Sequence, residues 1–321
     1  MIPIKISRSP SSKVRLDKEA QLTYRDSGGR PDPEELAILL AAHDVIIAGA
    51  LEKFDHRCFS MFGRNALGQK KKLIALMARG TDSVNLELAV KHGVDTVTAG
   101  TLNAGATAEH TMALILGLAK RLKTAEEQLR ANAGWQWRTL KEPFELSGKT
   151  LGVIGAGPIA RKVMGLALGF GMDVLCHTAH PDNHRHQHGM EAVSFVCLDT
   201  LVSQSHVITL HLPLVPETRN LIDAGRFKQM MPGALFINTS RGELVDETAL
   251  CDALDSGKIM GAGIDVYQDE PQINPRFTTV PASRVILTPH SASQTLEAKY
   301  AMENYLTDQI IQWVCNEKNS V

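Results

Sequence analysis

Short apolar runs and helix-like segments alternate along the first hundred residues. Three apolar runs predict buried strands: Val45–Ala48, Leu73–Met77 and Val94–Val97. Two segments beside them predict helices: 32–42 and 86–91. Strands that alternate with helices are typical of a parallel sheet covered by helices, because parallel strands need a crossover connection. The first third of the chain is therefore predicted to be an α/β domain.

A long helix and a second alternation follow. Small and apolar residues recur at helical spacing from Ala104 to Arg130, which predicts one long, mostly buried helix. A last helix is predicted from Gln294 to about Asn316. Between them, six strands are predicted: Thr150–Ile154, Asp173–Cys176, His206–His211, Ala234–Asn238, Gly261–Asp265 and Val285–Leu287. This is the pattern of a doubly wound nucleotide-binding domain, and 321 residues are enough for two domains.

Composition narrows the class of protein. Lys and Arg number 34 against 35 acidic residues, a balance that indicates neither nucleic acid nor an anionic membrane as partner. The first residues lack the apolar core of a signal peptide, and no stretch of about 18 apolar residues is present. The five cysteines are widely spaced without a C-x-x-C pair, which favours a reducing compartment. We expect a cytoplasmic protein.

Five histidines stand close together in the sequence: His177, His180, His184, His186 and His188. A metal site is conceivable there. No cysteine or acidic cluster accompanies the histidines, so a solvated loop is the preferred interpretation. We assign no metal site.

The predicted strand Thr150–Ile154 runs into the turn Gly155-Ala156-Gly157-Pro158-Ile159-Ala160, and a helix follows. This is the G-x-G-x-x-A form of the dinucleotide-binding fingerprint. Gly155 permits the tight turn, Gly157 lets a pyrophosphate approach the backbone, and Ala160 lets helix and strand pack closely. Pro158 is well tolerated at a helix start, where the partial positive charge suits the pyrophosphate. We expect NAD or NADP here.

The residue after the next strand distinguishes the two cofactors. A carboxylate there bonds the ribose 2′-hydroxyl of NAD and repels the 2′-phosphate of NADP. Thr178 follows Asp173–His177, and no acid stands at the expected place. The usual arginine is also missing at Ala179, although His180 or Arg185 could take its part. Both cofactors stay open, with a lean toward NADP.

Three longer motifs follow in order: Asn238-Thr239-Ser240-Arg241-Gly242-Glu243-Leu244-Val245-Asp246, then Gly263-Ile264-Asp265-Val266 with Glu270-Pro271, then Leu287-Thr288-Pro289-His290. Ala108-Glu109-His110-Thr111 and His211-Leu212-Pro213-Leu214 are weaker ones. Together they resemble the D-isomer-specific 2-hydroxyacid dehydrogenases, a family that includes glyoxylate/hydroxypyruvate reductases, D-3-phosphoglycerate dehydrogenases and phosphite dehydrogenase. The resemblance covers essentially the whole chain. It implies hydride transfer between a nicotinamide cofactor and a small 2-hydroxy or 2-oxo acid.

The resemblance implies a catalytic trio, Arg241, Glu270 and His290. The chemistry also requires these residue types. Hydride delivered to a ketone carbon leaves an oxyanion that needs a proton donor, and a histidine can serve in both directions. A carboxylate beside the histidine fixes its tautomer, which is the role expected of Glu270. The substrate carboxylate favours a planar two-pronged cation, which arginine supplies and lysine does not.

Other contacts are implied by the resemblance alone. Backbone N–H groups of the loop Ala78–Asp82, with Arg79 and Gly80, are expected to hold the substrate carboxylate. Asp265 is expected to face the nicotinamide carboxamide. The chain departs from the family at Asn85, where an aspartate is common, and at Ser291–Ser293, where glycine is common. The expected cofactor contacts are Thr107, Gly155, Gly157, Pro158, Ile159, Thr178, Pro213, Thr218, Thr239, Ser240, Arg241 and Asp265.

The family architecture is discontinuous. It implies a flavodoxin-like substrate domain made of residues 1–102 and 292–321, into which a Rossmann NAD(P)-binding domain, residues 103–291, is inserted. The chain would cross between them near Leu102 and Ser291. The helix that begins near Ala104 is expected at a homodimer interface.

Two alternatives stay open. One is an enzyme that oxidises an inorganic or phosphonate anion, as phosphite dehydrogenase does. The other is a corepressor-like binding protein that senses NAD(H). Such proteins usually carry an extended disordered tail, and the sequence ends at Val321, which disfavours this class.

Arg79 bears on the charge of the expected substrate. It precedes Gly80 at a place where many relatives have a small or apolar residue and phosphite dehydrogenase has a lysine. Arg79 and Arg241 together would leave one charge uncompensated on a monocarboxylate, which is costly in a desolvated site. A dianion such as a phosphonate, phosphate ester, phosphite or dicarboxylate would balance both. In the competing interpretation, Arg79 points to solvent or pairs with Asp82.

Overall fold

The structure is a computed structural model that describes residues 15–16, 31–49, 51–65, 71–131, 135, 143–281 and 283–318. The chain divides into two compact units: residues 1–103 with 295–321, and residues 104–294. No helix in the described part of the chain combines the length and the apolar character needed to cross a membrane.

Helices and strands alternate through most of the chain. In order, the elements are α1 Pro33–Ala42, β1 Val45–Ala48, α2 His56–Asn65, β2 Lys72–Leu76, α3 Leu86–Lys91, β3 Val94–Thr98, α4 Ala104–Ala119, α5 Leu122–Arg130, β4 Thr150–Ile154, α6 Pro158–Gly169, β5 Asp173–His177, α7 Asp182–Arg185, β6 Val193–Phe195, α8 Leu198–Gln204, β7 Val207–Leu210, α9 Ala224–Gln229, β8 Ala234–Asn238, α10 Glu247–Asp255, β9 Ile259–Ile264, α11 Arg276–Thr279, β10 Val285–Leu287 and α12 Leu296–Lys318. Short 3₁₀ turns lie at Pro216–Thr218 and Gly242–Leu244.

The first unit is built on a parallel sheet in the order β1-β2-β3. Side chains of β1 and β2 are buried throughout, as expected of strands covered on both faces. Its helices begin at residues that cap them: Asp32 accepts a hydrogen bond from the N–H of Glu35, and Asn85 accepts one from Leu88. Asn85, where the family commonly has aspartate, therefore serves as a helix cap, a role that both residue types perform.

The second unit holds a seven-stranded parallel sheet in the order β10-β9-β8-β7-β4-β5-β6. The chain runs outward from β4 to β6 and then returns to β7 on the other side of β4, so the strand order reverses between β4 and β7. Separate apolar cores cover the two faces. One core contains α4 and α6, and the other contains α8, α9 and α10. The predicted α/β class with parallel sheets is confirmed.

The prediction of one long helix from Ala104 to Arg130 is wrong in one respect. The segment forms two helices, α4 and α5. Arg121 adopts a left-handed conformation with φ of 56° and separates α4 from α5. Its guanidinium donates to the carbonyl of Ser283 (2.9 Å), and the N–H of Phe144 donates to Ala119 O (3.0 Å). These tertiary contacts offset the cost of the conformation. No glycine or proline signals the break in the sequence.

Burial also differs between the two helices. Ten residues of α4 are buried, whereas none of the residues of α5, all of which the structure describes, is buried. The apolar pattern of the sequence does not predict β6. This strand is three residues long and pairs only with β5 among the described strands. A short edge strand carries too few residues to show an alternating pattern.

Candidate active site

The expected functional residues of the second unit stand just after its strands. Parallel strands end at the same edge of a sheet, and ligands of doubly wound sheets bind there, at the point where strand order reverses. Gly155 follows β4 and His211 follows β7, the two strands at this reversal. Arg241, Asp265 and His290 follow β8, β9 and β10.

The turn after β4 has the backbone that the fingerprint predicts. Gly155 has φ of 112°, and a Cβ there would collide with the carbonyl of His211. Any larger residue would therefore displace β7 or the turn. Gly157 is the N-cap of α6, and Pro158 is the first residue of this helix. No described side chain caps this helix, so its first N–H groups are available to an anionic ligand.

His211 supplies a second feature that fits a bound dinucleotide. Its side chain is buried, its Nε2 lies 3.1 Å from the hydroxyl of Thr209, and its Nδ1 is buried without a hydrogen-bond partner among the described residues. Burial lowers the pKa of His211 to about 3, so the ring is neutral near pH 7. A buried unpaired ring nitrogen beside the fingerprint turn fits a nicotinamide dinucleotide, which offers hydroxyl and amide groups.

His290 and Glu270 form the hydrogen-bonded pair at this edge. Nδ1 of His290 lies 2.8 Å from Oε2 of Glu270, and both side chains are largely buried. The other carboxylate oxygen, Oε1, accepts the N–H of Tyr267 at 3.0 Å. Because Glu270 engages Nδ1, the ring presents Nε2 to a ligand. The peptide bond between Glu270 and Pro271 is cis.

The loop that carries Glu270 is fixed at two further points. Glu247 accepts the N–H of Gln268 at 2.9 Å, and the amide of Gln268 donates to the carbonyl of Val245 at 2.7 Å. Burial raises the pKa of Glu247, and the hydrogen bond from Gln268 opposes that effect. A Cβ on Gly242 would collide with the backbone of Tyr267 and Gln268. The segment after β8 and the loop before Glu270 are therefore in direct backbone contact.

Arg241 precedes Gly242 and is held by the same contact. Its backbone is extended, its carbonyl accepts the side-chain N–H of Asn238 (2.8 Å), and one guanidinium nitrogen donates to the carbonyl of Ser240 (2.7 Å). The side chain is partly buried. The structure thus anchors the backbone of Arg241 beside the loop that positions Glu270.

Asp265 lies at the centre of a hydrogen-bond network that joins three segments of the second unit. It is 0 % exposed, and its carboxylate accepts the hydroxyl of Thr288 (2.5 Å) and the N–H groups of Ser291 (2.8 Å) and Ala292 (3.0 Å). His110 approaches the same carboxylate at 3.6 Å. These groups balance a charge that would be costly if buried alone. A role toward the nicotinamide carboxamide stays a prediction.

The remaining expected cofactor residues lie near the same strand ends. Thr111 links two of them, because its hydroxyl donates to the backbone carbonyl of Thr107 (2.8 Å) and lies 3.0 Å from the side-chain hydroxyl of Thr239. Ser240 donates to the carbonyl of Leu210 at 2.7 Å. The hydroxyl of Thr218 bonds the carbonyl of Pro213 at 2.8 Å. Ile159 is the second residue of α6.

The ribose-recognition position follows β5. Thr178 is the first residue after this strand and is partly buried. His180 is exposed, and the guanidinium of Arg185 lies 5.7 Å from the ring centre of Phe195. The histidines near this place are mostly exposed, and no group of three or more potential ligands suited to a metal occurs in the described residues.

Arg79 and Gly80 belong to the other unit. They lie in a bend that follows β2, where Arg79 is exposed and Gly80 is partly exposed. The interpretation that they bind substrate stays a prediction.

Four polar residues of the second unit were not assigned a role from the sequence. His110 and Thr288 belong to the Asp265 network, His211 lies behind the fingerprint turn, and Glu247 holds the Glu270 loop. His110, His211 and Thr288 lie in motifs that carry the family resemblance. The sequence therefore identifies these three residues, but it does not show their roles. Glu247 directly follows such a motif, and only its tertiary contact with Gln268 reveals its role.

A parallel doubly wound sheet, a glycine-rich first turn and a histidine–carboxylate pair at the strand ends define a nicotinamide-dependent oxidoreductase. A family model described as "D-isomer specific 2-hydroxyacid dehydrogenase, NAD binding domain" matches residues 112–292, more than half of the chain. The chain belongs to the D-isomer-specific 2-hydroxyacid dehydrogenase family. The resemblance inferred from the motifs is confirmed, and so is the enzyme class.

Individual relatives agree with this family. The chain is 36% identical to a glyoxylate reductase of Thermococcus litoralis over 256 residues, 77% of this chain and 75% of the relative. It is 34% identical to a D-3-phosphoglycerate dehydrogenase of Mycobacterium leprae over 291 residues, 90% of this chain but only 52% of the relative. The chain thus spans about half the length of the latter.

Solved structures share the fold over nearly all residues. A D-lactate dehydrogenase from Aquifex aeolicus, complexed with NAD and lactic acid, has a TM-score of 0.84 and 26% sequence identity. The match covers 100% of this chain and 96% of that one.

Proposed function

We propose that this protein reduces a small 2-oxo acid to its D-2-hydroxy acid and catalyses the reverse oxidation, with His290 as general acid and base. The observation that carries the proposal is the 2.8 Å contact between His290 and Glu270 at the strand ends that also bear the fingerprint turn. Family membership supports the reaction class.

A reduced nicotinamide, when bound at the fingerprint turn, would supply the hydride for the carbonyl carbon. His290 gives the proton from Nε2 to the carbonyl oxygen, so the oxyanion does not accumulate. Glu270 accepts from Nδ1 throughout, which holds the ring in orientation and offers a negative partner when both nitrogens are protonated. In the oxidative direction neutral His290 accepts the hydroxyl proton at Nε2.

Arg241 binds the carboxylate of the substrate in this proposal. The guanidinium can present two parallel N–H groups to two oxygens, which fixes the orientation of the carbonyl beside it. Anchoring of its backbone by Asn238 and by the Gly242 contact limits the conformational entropy lost on binding.

The finer proposal for the substrate is that it carries two negative charges. Arg79 supports it, because an exposed arginine after β2 joins Gly80 in the loop expected to bind the anionic group. A phosphonate, a phosphate ester or a second carboxylate would match Arg79 and Arg241 together.

Cofactor choice is proposed to be relaxed or tilted toward NADP. No carboxylate occupies the position after β5, where Thr178 stands. His180 and Arg185 follow as exposed basic residues that could meet a 2′-phosphate.

The proposed oligomer is a homodimer formed through the helical segment that begins at Ala104, and exposed apolar side chains in its second helix, α5, support this proposal. Ten of the sixteen residues of α4 are buried in the second unit, whereas Leu122 and Leu129 of α5 are more than half exposed. Trp135, which follows in the chain, is 84 % exposed. Light scattering should give twice the 35.0 kDa chain mass at micromolar concentration. A monomer would refute the dimer.

The proposed function is tested by a panel of substrates and cofactors. 2-Oxo acids with one and two negative charges, together with phosphite, are assayed with the matching forms of NAD and NADP by nicotinamide absorbance. Turnover of at least one 2-oxo acid is expected, with a preference for NAD below about a hundredfold, which is some 2.7 kcal/mol. Turnover of phosphite alone, or of nothing in the panel, would contradict the proposal.

A further inference from the structure

His110 connects α4 to two of the strand ends that carry the site. Its Nε2 lies 3.0 Å from the hydroxyl oxygen of Thr288 and 3.6 Å from Oδ1 of Asp265. It is a polar residue in a helix whose mean character is apolar, and its side chain is largely buried. A buried polar side chain with defined partners has a specific structural reason for its presence.

Close packing of helix and strand makes this contact possible. A Cβ on Gly263 would come within 2.9 Å of the Cβ of Leu114, so only a glycine allows α4 to approach β9 this closely. His110 stands one helical turn before Leu114, and Asp265 stands two residues after Gly263, on the same face of the strand. The histidine therefore extends the contact between α4 and β9 to the end of the strand.

The hydrogen bonds in this group have a definite direction. The hydroxyl of Thr288 has one proton, which it donates to the buried carboxylate of Asp265 at 2.5 Å. Its oxygen can then only accept from His110, so Nε2 of His110 carries the hydrogen. The resulting chain runs from His110 through Thr288 to Asp265, and each bond polarises the next.

Asp265 in turn accepts hydrogen bonds from the segment that contains His290. Its carboxylate accepts the N–H groups of Ser291 and Ala292, and its carbonyl accepts the N–H of His290 at 2.8 Å. His290 has φ of 51°, a left-handed conformation that is unfavourable for residues other than glycine and persists only where surrounding contacts hold it. This backbone conformation accompanies the contact of the imidazole with Glu270.

We propose that His110 is a positioning residue for His290: through Thr288 it orients the carboxylate of Asp265, which holds the N–H groups of Ser291 and Ala292 and thereby keeps the adjacent His290 in the conformation it needs. His110 acts through other residues and does not itself transfer the proton. The catalytic consequence rests on the role proposed above for His290, whereas the structural consequence can be measured without any activity.

The first test is hydrogen–deuterium exchange of the full-length protein without substrate. His110→Phe should accelerate exchange of the Ser291 and Ala292 amides at least tenfold, because their acceptor loses its orientation. His110→Gln, which can place an N–H near the position of Nε2, should restore slow exchange. His206→Phe is the matched control, because it removes the bond to the N–H of Thr150 at the other end of the sheet. Unchanged exchange in His110→Phe would overturn the proposal.

The second test is kinetic and uses the holoenzyme with the best substrate of the panel. His110→Phe should lower kcat tenfold to a hundredfold with a smaller change in KM, as expected of a misplaced catalytic group. The deuterium isotope effect with 4-deuterated reduced cofactor should increase, because the chemical step becomes slower. Thr288→Val should lower kcat and raise the isotope effect to the same extent. The double variant, His110→Phe with Thr288→Val, should lose no more kcat than either single variant.

Two outcomes separate this inference from the proposed function. If wild-type protein turns over no substrate but His110→Phe still accelerates exchange at residues 291 and 292, the proposed function is wrong. The positioning role of His110 is then still supported. If wild-type protein is active and His110→Phe matches His206→Phe in exchange, kcat and isotope effect, the positioning role is wrong. Failure of His110→Gln to restore either property also counts against it.

Discussion

Two strand ends of this protein are proposed to bind anionic groups, one in each unit, and their construction differs. In the second unit, the residues after β8 to β10 are joined by buried hydrogen bonds around Asp265 and by the backbone contact at Gly242. In the first unit, Arg79 is exposed in a bend after β2. Arg241 is thus anchored before substrate arrives, whereas Arg79 lies on the surface, where solvent screens its charge. Proton transfer demands an anchored geometry, and charge balance tolerates a more exposed position.

The largest effect is expected at the anchored end. His290→Ala should lower kcat by a factor of roughly a hundred to ten thousand, because the oxyanion loses its proton donor. Cofactor affinity, measured by quenching of protein fluorescence, should remain within about twofold, since His290 acts on the substrate oxygen. Near-full turnover with intact cofactor binding would show that another group is the acid.

Arg241→Lys tests the paired N–H groups of the guanidinium in the second unit. The charge is retained and the paired N–H geometry is lost, so KM should rise and kcat should fall, together by about a hundredfold in kcat/KM. Steady-state kinetics on every accepted acid provide the measurement. An unchanged KM throughout would remove Arg241 from the substrate site.

Acid should destabilise the second unit through His211. The folded pKa of about 3 lies below the unfolded value near 6.5, so the stabilising contribution is complete above pH 6.5 and is lost as pH falls toward 3. At pH 5 the loss amounts to about 2 kcal/mol. Urea unfolding of wild type and His211→Gln at pH 7.5 and pH 5 measures it. A midpoint difference that does not change with pH would mean that His211 is not buried as a neutral ring.

The smallest effect is expected at the exposed end. Arg79→Ala should cost about 1.5 kcal/mol in kcat/KM on dianionic substrates and little on matched monoanions, since an exposed cation gives the lower range of a charged hydrogen bond. Arg79→Lys retains the charge and should lose less, which contrasts with the same change at Arg241. Equal losses on both substrate classes would end the dianion hypothesis.

Much of the fold was accessible from local pattern. Apolar runs located nine of the ten strands in the described residues, because most strands of a covered parallel sheet are largely apolar. The tenth, β6, is too short to show a pattern, and the break at Arg121 depends on its bond to Ser283, far along the chain. Motifs brought Arg241, Glu270 and His290 to attention but could not say which residues keep them in place.

The chemical groups of this protein could be identified from residue type and spacing alone: a glycine-rich turn before a helix, an arginine fork, and a histidine with a carboxylate in motifs typical of the family. These are local properties, since residue type and spacing decide turn conformation, charge and proton affinity. Three contacts could be seen only in the folded chain: Glu270 with Nδ1 of His290, Glu247 with Gln268, and His110 with Asp265. Each of these contacts joins residues distant in the chain, and their geometry depends on how closely helices and strands pack.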